Sequence, residues 1–418
     1  VTQQCPKCHS EIPVDPGYPV WCDRCEWNLF AFERVPPTSR REKLFLKVSD
    51  EVAQSQLAKI SRTGLSAPGL TPGKLLAFAI ATVVYTAVVA VAVFGIRLML
   101  DNYRSNACLL AMGGLFAFLA FIMRPRIYPI PDRGFLSREK YPTLYKQADD
   151  LAAHLGTRPV DAIFTSIDFN ASFFRAGWSR KNILHLGMPL FQILTPQERV
   201  ALITHELAHS ANGDVSRSFF ISGAIRSLRT WNSFILAEGD HSDLIYFVPF
   251  APVFIALLSL VAIIPAAMAT ALVLLLAGDS QRAEYLADNM AARAGGTEAM
   301  LGLLRKLHIS RALMTGIDRF YENGGKQGVF DALRRKVDHV PPRELERVAR
   351  VERRLDSRLD ASHPPTSYRI QLLQARPVTH PEVLISPADS EALEHELSRI
   401  MPAVEAAMLH DYQDRTER

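Results

Sequence analysis

The sequence of 418 residues has little net charge, few cysteines and no internal repeat or low-complexity tract. A formal net charge of +4 does not by itself indicate a nucleic-acid partner. Charged residues are missing altogether from three hydrophobic blocks, which comprise residues 75–96, 105–123 and 253–277. Each block reaches the roughly 20 apolar residues that cross a bilayer, which favours a membrane protein over a soluble one. The first block begins far from the N-terminus, so we interpret it as a retained anchor and not as a cleaved signal peptide.

Basic residues flank the first two blocks unevenly. Seven Lys or Arg residues lie between positions 40 and 74, and five lie between 124 and 140, whereas the connecting stretch DNYRSN is nearly neutral. By the positive-inside rule, both basic flanks are expected on the cytoplasmic side.

Four of the five cysteines form two CxxC pairs, CPKC and CDRC, which are separated by thirteen residues. Each pair offers two thiolates from one tight turn, and this spacing is typical of a tetrahedral structural zinc site made by Cys5, Cys8, Cys22 and Cys25. Two disulfides or a redox pair are the alternatives, and they require an oxidising compartment or a βαβ setting. We interpret Cys108, inside the second block, as a small buried apolar residue.

Composition divides the chain into four segments. Residues 1–30 are predicted to form a zinc ribbon, 31–74 a turn-rich linker, 75–123 a transmembrane hairpin, and 124–418 a membrane-embedded domain with a hydrophobic insertion at about 218–278. The ribbon is either a self-folding cap or a docking module for a substrate or partner. The cap is the simpler interpretation.

A basic segment lies in the C-terminal part of the chain. Residues 334–354 hold eight Lys or Arg residues against four acidic ones, and LERVARVERRL has helical apolar spacing. No aromatic residues are interleaved for base stacking, so no nucleic-acid partner is expected. A solvated helix near the membrane surface is the favoured interpretation.

The stretch TPQERVALITHELAHSANGD has the signals of a complete helix. Thr195 is a candidate N-cap, Pro196 fits the first helical position, and Glu198 completes a capping box. Asn212 and Gly213 are candidates to end the helix. The predicted helix therefore carries the segment HELAH near its C-terminal end.

Candidate metal ligands lie on this helix and on a later one. His205 and His209 are one turn apart on one face, near enough to share a metal ion, and Glu206 lies beside them. An ordinary amphipathic helix with a surface glutamate is the alternative. The later stretch AEYLADNMAARAGG offers Glu284 as a third ligand and Asp288, one turn on, as a hydrogen-bond partner for a ligating histidine. A solvated acidic face is the alternative for this second pair.

Together these motifs resemble the HtpX-type and CAAX-prenyl-protease family of membrane zinc metallopeptidases. HELAHSANGD is followed, after a long hydrophobic insertion, by SQRAEYLAD, and FNASFF and SHPPTSYRI match two further family motifs. The resemblance spans about residues 130–375, and it implies substrate binding by Asn170 and Ala171 and positions His363 and Arg369 beside the active site. The Asn-Ala element continues Ser-Phe instead of the commoner Phe-Ala, and a cysteine ribbon is not part of the usual plan, so substrate choice does not carry over.

The resemblance implies a gluzincin-like fold: an α+β, mainly helical membrane protein with a small β-sheet packed on the active-site helix. The stretches VDAIFTSI and NILHLG are plausible strands around a predicted loop, DFNASFFRAGWSRK. A peptide substrate is expected to add to the exposed edge of this sheet in an extended conformation.

The expected activity is that of a zinc metalloendopeptidase. Zinc held by the two histidines and Glu284 is expected to activate a water molecule, with Glu206 as the general base. Arg369 is expected to order the site or the substrate backbone, and His363 to donate a hydrogen bond to the developing oxyanion.

The expected setting follows from the resemblance and the charge pattern. The expected cofactors are one catalytic and one structural zinc ion, and the expected partners are extended protein or peptide substrates and the lipid bilayer. We expect quality control of membrane or membrane-proximal proteins at the plasma (inner) membrane of a prokaryote, with the active site and the ribbon on the cytoplasmic side. A dedicated CAAX-type processing protease, a subgroup that usually has more spans, and a non-catalytic zinc-stabilised scaffold, which would not need Glu206, are the alternatives.

A metal shared by the two motif helices also restricts the topology. The chain between the helices must cross the membrane an even number of times, but the block 253–277 crosses once. A second crossing is expected at 218–237, where Arg226 and Arg229 each cost about 2.5 to 3.5 kcal/mol at a bilayer centre unless turned inward. A re-entrant hairpin over 244–278 is the alternative. The Lys/Arg-free loop EGDHSD and the family resemblance favour four spans.

Overall fold

The computed structural model describes residues 2–15, 17–31, 40–65, 69, 71–124, 133–177, 179–211, 214–236, 251–355 and 364–417. The chain divides into two compact units. The first comprises residues 1–67, 130–213 and 280–418, and the second comprises residues 68–129 and 214–279. The described residues are mainly helical with two small sheets, so the predicted α+β, mainly helical architecture is confirmed.

Strands and helices follow one another in chain order. The strands are β1 (Thr2–Gln4), β2 (Glu11–Pro13), β3 (Phe135–Leu136), β4 (Ala162–Ser166), β5 (Ala171–Ala176) and β6 (Lys181–Gly187). Within the described residues, the helices are α1 (Arg40–Thr63), α2 (Pro72–Asn102), α3 (Ala107–Met123), α4 (Pro142–His154), α5 (Met188–Ile193), α6 (Pro196–Ala211), α7 (Asp214–Leu236), α8 (Ala251–Gly295), α9 (Thr297–His308), α10 (Ser310–Glu322), α11 (Val329–Asp338), α12 (Pro342–Leu355), α13 (Thr366–Ala375), α14 (Pro387–Ser398) and α15 (Met401–Thr416).

The larger sheet has the strand order β3-β4-β6-β5, with β5 at one edge. Strand β6 pairs in parallel with β4 and antiparallel with β5. Both predicted strands are present as β4 and β6, but the predicted loop between them contains β5. The alternation that marks a strand is broken in β5, because Phe174 and Arg175 are both half-buried after the regular start at Ala171.

Helix α6 begins at the predicted capping box. The Thr195 hydroxyl accepts a hydrogen bond from the Glu198 backbone N–H at 3.3 Å, and the Glu198 carboxylate accepts one from the Thr195 N–H at 2.7 Å. Pro196 is the first helical residue, as predicted. The middle of the helix is buried because it packs against β5, α4 and α9. Its predicted end at Asn212 and Gly213 lies outside the described residues.

The N-terminal ribbon packs against α12. Trp21 and Leu29 form a buried cluster with Val351. The buried guanidinium of Arg347 donates to the carbonyl of Leu29 at 2.7 Å and pairs with Glu344 at 2.8 Å. The expectation of a solvated helix is therefore wrong for this face of α12, because its arginines bind backbone carbonyls of the ribbon.

The segment 31–74, predicted as a linker, contains helix α1. Ile60 of α1 packs with Tyr285 of α8 and Leu372 of α13 in one buried cluster. The Arg376 guanidinium also donates to the carbonyl of Ile60 at 3.3 Å. Part of the N-terminal region thus packs directly on α8 and α13, which carry predicted site residues.

The second unit is a bundle of helices with a hydrophobic core of small and large residues. Ala81 of α2, Ala224 of α7 and Leu272 of α8 belong to its buried core. Helices α2 and α3 approach closely at two glycines, where a Cβ atom added to Gly113 would lie 2.7 Å from the carbonyl oxygen of Gly95. Small residues at such crossings are typical of helices that pack within membranes.

Two of the described helices are long and apolar enough to cross a membrane, Pro72–Asn102 and Ser259–Gly295, and α3 is a shorter apolar helix. The side chain of Cys108 in α3 is exposed. Its interpretation as a buried residue is therefore wrong, because α3 buries only small residues, Gly113 and Ala120.

The described residues also bear on the two topologies left open. Residues 251–278 form one continuous helix, without the turn that a re-entrant hairpin within them requires. The stretch predicted as the fourth crossing lies in α7 up to Leu236. In the same unit, Lys74 Nζ at the start of α2 lies 3.4 Å from Asp279 Oδ1 of α8. The start of α2 and residue 279 are therefore at the same end of this unit.

Candidate metal centre

Three predicted metal ligands converge in the first unit. Nε2 of His205 lies 3.5 Å from Oε2 of Glu284, and Nε2 of His209 lies 3.5 Å from Oε1 of the same carboxylate. The two imidazole rings meet edge to face, with 5.1 Å between their centroids. One donor atom from each residue lies within 4.8 Å of the other two. Helices α6 and α8 thus bring together ligands that are far apart in the sequence.

The geometry of this group fits a zinc ion. A tetrahedral zinc with bonds of about 2.0 to 2.2 Å to nitrogen and oxygen places neighbouring ligand atoms roughly 3.3 to 3.6 Å apart. Each histidine Nε2 lies 3.5 Å from a different oxygen of the Glu284 carboxylate, which is close to that spacing. His205 and Glu284 are buried, whereas His209 is partly exposed. Within the described residues the group has three ligands, and three protein ligands with an open fourth position are the arrangement of a catalytic site and not of a closed structural one.

A carboxylate and a guanidinium lie on the Nδ1 side of His205, away from the nitrogen that faces Glu284. Oδ1 of Asp288 lies 3.1 Å from Nδ1 of His205, and Asp288 in turn accepts hydrogen bonds from Nε and Nη2 of Arg369 at 2.8 and 2.5 Å. Burial alone would lower the pKa of Arg369, but the charge of Asp288 outweighs it and raises that pKa above its ordinary value. Arg369 is therefore a permanent cation in this site.

The pKa of His205 reflects the same carboxylates. Burial lowers it, and the hydrogen bonds and charges of Asp288 and Glu284 more than offset burial, so the pKa lies above its ordinary value. A site this rich in negative charge attracts a cation, either a proton or a metal ion.

Glu206 lies next to this group and is 8% exposed. Within the described part of the chain, no hydrogen bond or ion pair engages its carboxylate. Its charge contributes to raising the pKa of Arg369. The carboxylate is therefore free of protein partners there and available for proton transfer.

The remaining predicted residues are placed less directly. Ala171 is the first residue of the edge strand β5, and Asn170 precedes it in the connection from β4. The Asn170 carbonyl accepts a hydrogen bond from the Gly187 N–H at 2.8 Å. Strand β5 packs on α6, which carries the two histidines. His363 lies outside the described residues.

The four cysteines of the ribbon form a second group that could hold a metal ion. Sγ of Cys5 lies 3.5 Å from Sγ of Cys25, and Sγ of Cys8 lies 3.5 Å from Sγ of Cys22. Four sulfurs around a zinc at about 2.3 Å are roughly 3.8 Å apart, so the spacing fits zinc. The Ser10 side chain lowers the pKa of the Cys22 thiol to about 6, whereas burial raises the pKa of Cys25 to about 12. All four thiols are free, which favours a metal site over the two-disulfide alternative.

Two features of the site are not apparent from the sequence. The pairing of Arg369 with Asp288 joins residues that the motifs predict separately. His185 of β6 lies within electrostatic range of Glu206, and it was not among the predicted residues. A histidine between the apolar residues Leu184 and Leu186 of a predicted strand was the available signal for it.

The sequence matches known peptidases over a continuous range that includes the three proposed metal ligands. The sequence profile of Peptidase family M48 matches residues 141–377, more than half of the chain. Protease HtpX of Pseudomonas fluorescens is 30% identical over 249 residues, which cover 56% of this chain and 71% of that protein. Protease HtpX of Pseudomonas putida is 28% identical over 218 residues, which cover 50% of this chain and 71% of that protein.

These matches confirm the predicted family and the predicted enzyme class. Peptidases of family M48 are zinc-dependent, and the group of His205, His209 and Glu284 lies within the matched residues. A protease acts on protein or peptide substrates, which confirms that part of the partner prediction. The chain belongs to Peptidase family M48 and is a membrane metalloprotease of the HtpX type.

Proposed function

We propose that the protein is a zinc metalloendopeptidase whose catalytic zinc is held by His205, His209 and Glu284. The observation that carries this proposal is the convergence of the three residues, with one donor atom of each within 4.8 Å of the other two. The carboxylate of Glu206, on the same helix as the two histidines, has no hydrogen bond or ion pair within the described part of the chain. A structural zinc site is closed by four protein ligands and gains nothing from an adjacent base. This favours catalysis over the non-catalytic scaffold.

The residues divide the work of hydrolysis. When bound, zinc polarises the scissile carbonyl and makes a water molecule more acidic. Glu206 accepts the proton of the attacking water at its carboxylate and returns it to the nitrogen of the leaving amine. Its low exposure, 8%, strengthens electrostatic interactions at this position.

Asp288 and Arg369 position the ligand His205. The Asp288 carboxylate, 3.1 Å from Nδ1 of His205, favours a proton on Nδ1, which leaves Nε2 as the proposed metal ligand. Arg369 is buried on Asp288 and pairs with it through two nitrogens. Of the two roles expected for Arg369, this contact supports ordering the site and not binding the substrate backbone. We retain His363 as a proposed oxyanion donor.

Substrate is proposed to bind along β5. Among the described strands, β5 is an edge of its sheet, and an extended peptide could pair with its outer side through backbone hydrogen bonds. Asn170 and Ala171 lie at the start of that edge, beside the helix that carries the histidines. Pairing through backbone hydrogen bonds makes little demand on side chains, so extended segments of many sequences fit. This supports quality control of membrane or membrane-proximal proteins, and it argues against a dedicated CAAX-type processing role.

The cysteine group is proposed to hold the second, structural zinc. Its four sulfurs have the spacing of a closed tetrahedral site. The basic flanks of the first two blocks support a cytoplasmic location for the ribbon and the catalytic site, at the plasma (inner) membrane of a prokaryote.

Metal analysis combined with casein cleavage tests this proposal. The purified protein is expected to contain two zinc ions and to cleave casein. Glu284→Ala should contain one zinc and be inactive, while the matched exposed variant Glu298→Ala on α9 should keep both zinc ions and the activity. Two zinc ions in inactive Glu284→Ala would show that the catalytic metal is bound elsewhere.

A further inference from the structure

A buried histidine joins the three strands next to the proposed substrate edge. His185 lies on the central strand β6, opposite Phe164 of β4 and Ser172 of β5, and is 8% exposed. Its Nε2 is 2.8 Å from the hydroxyl of Ser166, the last residue of β4. Its Nδ1 is 3.2 Å from the hydroxyl of Ser172, the second residue of β5. One imidazole therefore links the end of β4 to the beginning of β5.

The protons in this network can be assigned by counting. The Ser166 hydroxyl donates to Oδ2 of Asp168 at 2.7 Å, and an ionised carboxylate can only accept. Because a hydroxyl has one hydrogen, Ser166 must accept from Nε2–H of His185. Ser166 also accepts the backbone N–H of Asp168 at 3.0 Å, which fills its hydrogen-bonding capacity.

The other ring nitrogen then has a defined role. Burial holds the pKa of His185 below its ordinary value against the opposing charges of Asp168 and Glu206, which favours the neutral ring with Nδ1 as an acceptor. The Ser172 hydroxyl donates to it. An apolar side chain at position 185, or the other tautomer of the imidazole, would not provide the hydrogen bonds that both serines require. Ser172 is also the residue at which the Asn-Ala element departs from the commoner Phe.

The connection between β4 and β5 is held against the end of β6 by a second contact. The Gly187 N–H donates to the Asn170 carbonyl at 2.8 Å. A Cβ atom at position 187 would lie 1.9 Å from the carbonyl oxygen of Asp168 and 2.4 Å from that of Asn170. Only glycine allows this approach. The path of the β4–β5 connection is therefore fixed by two contacts, the close approach of Gly187 and the hydrogen bonds of His185 to the strands on either side.

We propose that His185 is a positioning residue that fixes Asn170 and the first residues of β5 in register for an extended substrate. The inference rests on the proposed binding of substrate along β5. His185 bridges the hydroxyl groups of Ser166 and Ser172. It acts on the substrate strand through these two serines and does not contact the reacting atoms. Peptides that are long enough to pair with β5 depend on it, and short peptides that occupy only the metal centre do not.

The test compares two fluorogenic peptides that share one cleavage site, one short and one long enough to extend along β5. The length gain is the ratio of kcat/KM for the long peptide to kcat/KM for the short one. We expect a clear length gain in the parent enzyme. In His185→Phe it should fall on the order of tenfold, mainly through KM, while the short peptide and the zinc content stay unchanged.

Three further variants separate positioning from general damage. His185→Gln carries both a donor and an acceptor and should restore most of the length gain, whereas Ser172→Ala should lose part of it. His410→Phe, a matched change at an exposed histidine of α15, should behave as the parent. If His185→Phe is poorly folded in thermal unfolding, the Gln and Ala variants decide the question.

The possible failures are distinguishable. A parent enzyme without any length gain would overturn the proposed substrate strand itself. A parent with a length gain that His185→Phe retains would overturn the role of His185 and leave the proposed function standing. Equal losses on both peptides would also overturn it, because they indicate general damage and not loss of register.

Discussion

Arg369 holds Asp288 through two hydrogen bonds, Nε to Oδ2 at 2.8 Å and Nη2 to Oδ1 at 2.5 Å, and both side chains are buried. The same Oδ1 lies 3.1 Å from Nδ1 of His205. A ligand of the proposed zinc site is therefore oriented by a carboxylate that is itself fixed by a cation. The two residues lie on α8 and α13, so the packing of these helices and the geometry of the site depend on each other.

The first prediction concerns this pair. Arg369→Gln removes the buried cation that pairs with Asp288, which costs about 3 to 5 kcal/mol of the free energy of unfolding. The loose carboxylate then orients His205 poorly, and the affinity of the catalytic site for zinc should fall by about 10- to 100-fold. Thermal unfolding and competition with a zinc chelator measure the two effects.

Arg293→Gln is the matched control for this prediction. Arg293 pairs with Glu382 at 2.8 Å on the surface of the same unit, with 59% of its side chain exposed. Its loss should cost less than about 1 kcal/mol and leave zinc affinity unchanged. Equal effects of the two substitutions would contradict the assigned role of Arg369.

The second prediction concerns the ribbon. Cys22→Ser should remove one zinc ion per molecule and lower the unfolding temperature, because a metal that binds only the folded ribbon stabilises it. The catalytic zinc should remain. Cys108→Ser removes an exposed thiol outside the group and should change neither quantity. An undiminished zinc content in Cys22→Ser would argue that the four cysteines do not hold a metal.

The third prediction compares two neighbouring glycines of α3. A Cβ atom at Gly113 would lie 2.7 Å from the Gly95 oxygen and 2.8 Å from the backbone nitrogen of Met99, whereas one at Gly114 would meet nothing within 4 Å. Gly113→Ala should therefore destabilise the protein in detergent by about 1 to 3 kcal/mol. Gly114→Ala should be neutral or stabilising by up to about 1 kcal/mol, since alanine favours the helix. The reverse order would contradict the described α2–α3 packing.

The fourth prediction concerns topology. Ser242 lies outside the described residues, in a segment without Lys or Arg between α7 and α8. With four spans, a cysteine at Ser242 in a Cys108→Ser background should react with an impermeant maleimide applied to intact cells. A cysteine at the exposed Ser137 should react only after permeabilisation. Protection of both positions in intact cells would contradict the four-span topology.

Local signals in the sequence predict the parts of the site that are local in the chain. The capping box of Thr195 and Glu198 specifies where α6 begins. The spacing of the two histidines specifies that both candidate metal ligands lie on one face of this helix. The later stretch AEYLADNMAARAGG offers Glu284 as a third ligand, and the family resemblance supports this choice, although the distance in sequence conceals how near Glu284 lies to the histidines.

The features that sequence reasoning missed depend on tertiary contacts. Strand β5 exists because it pairs with β6, although its own pattern of side chains is irregular. One face of α12 is buried against the ribbon, where Arg347 donates a hydrogen bond to the carbonyl of Leu29. Every residue has a backbone carbonyl, so the sequence does not show which one will accept such a bond. His185 gains its role from serines on two other strands.

The most direct test of the central claim is the zinc content and casein-cleaving activity of Glu206→Gln. Glutamine has nearly the same shape as glutamate but cannot accept the proton of the attacking water, so hydrolysis should be lost. Glu206 is not a proposed ligand, so both zinc ions should remain, in contrast to Glu284→Ala with one. Inactive Glu206→Gln with two zinc ions is the predicted result. Cleavage at the parental rate, in a preparation free of other proteases, would contradict the account.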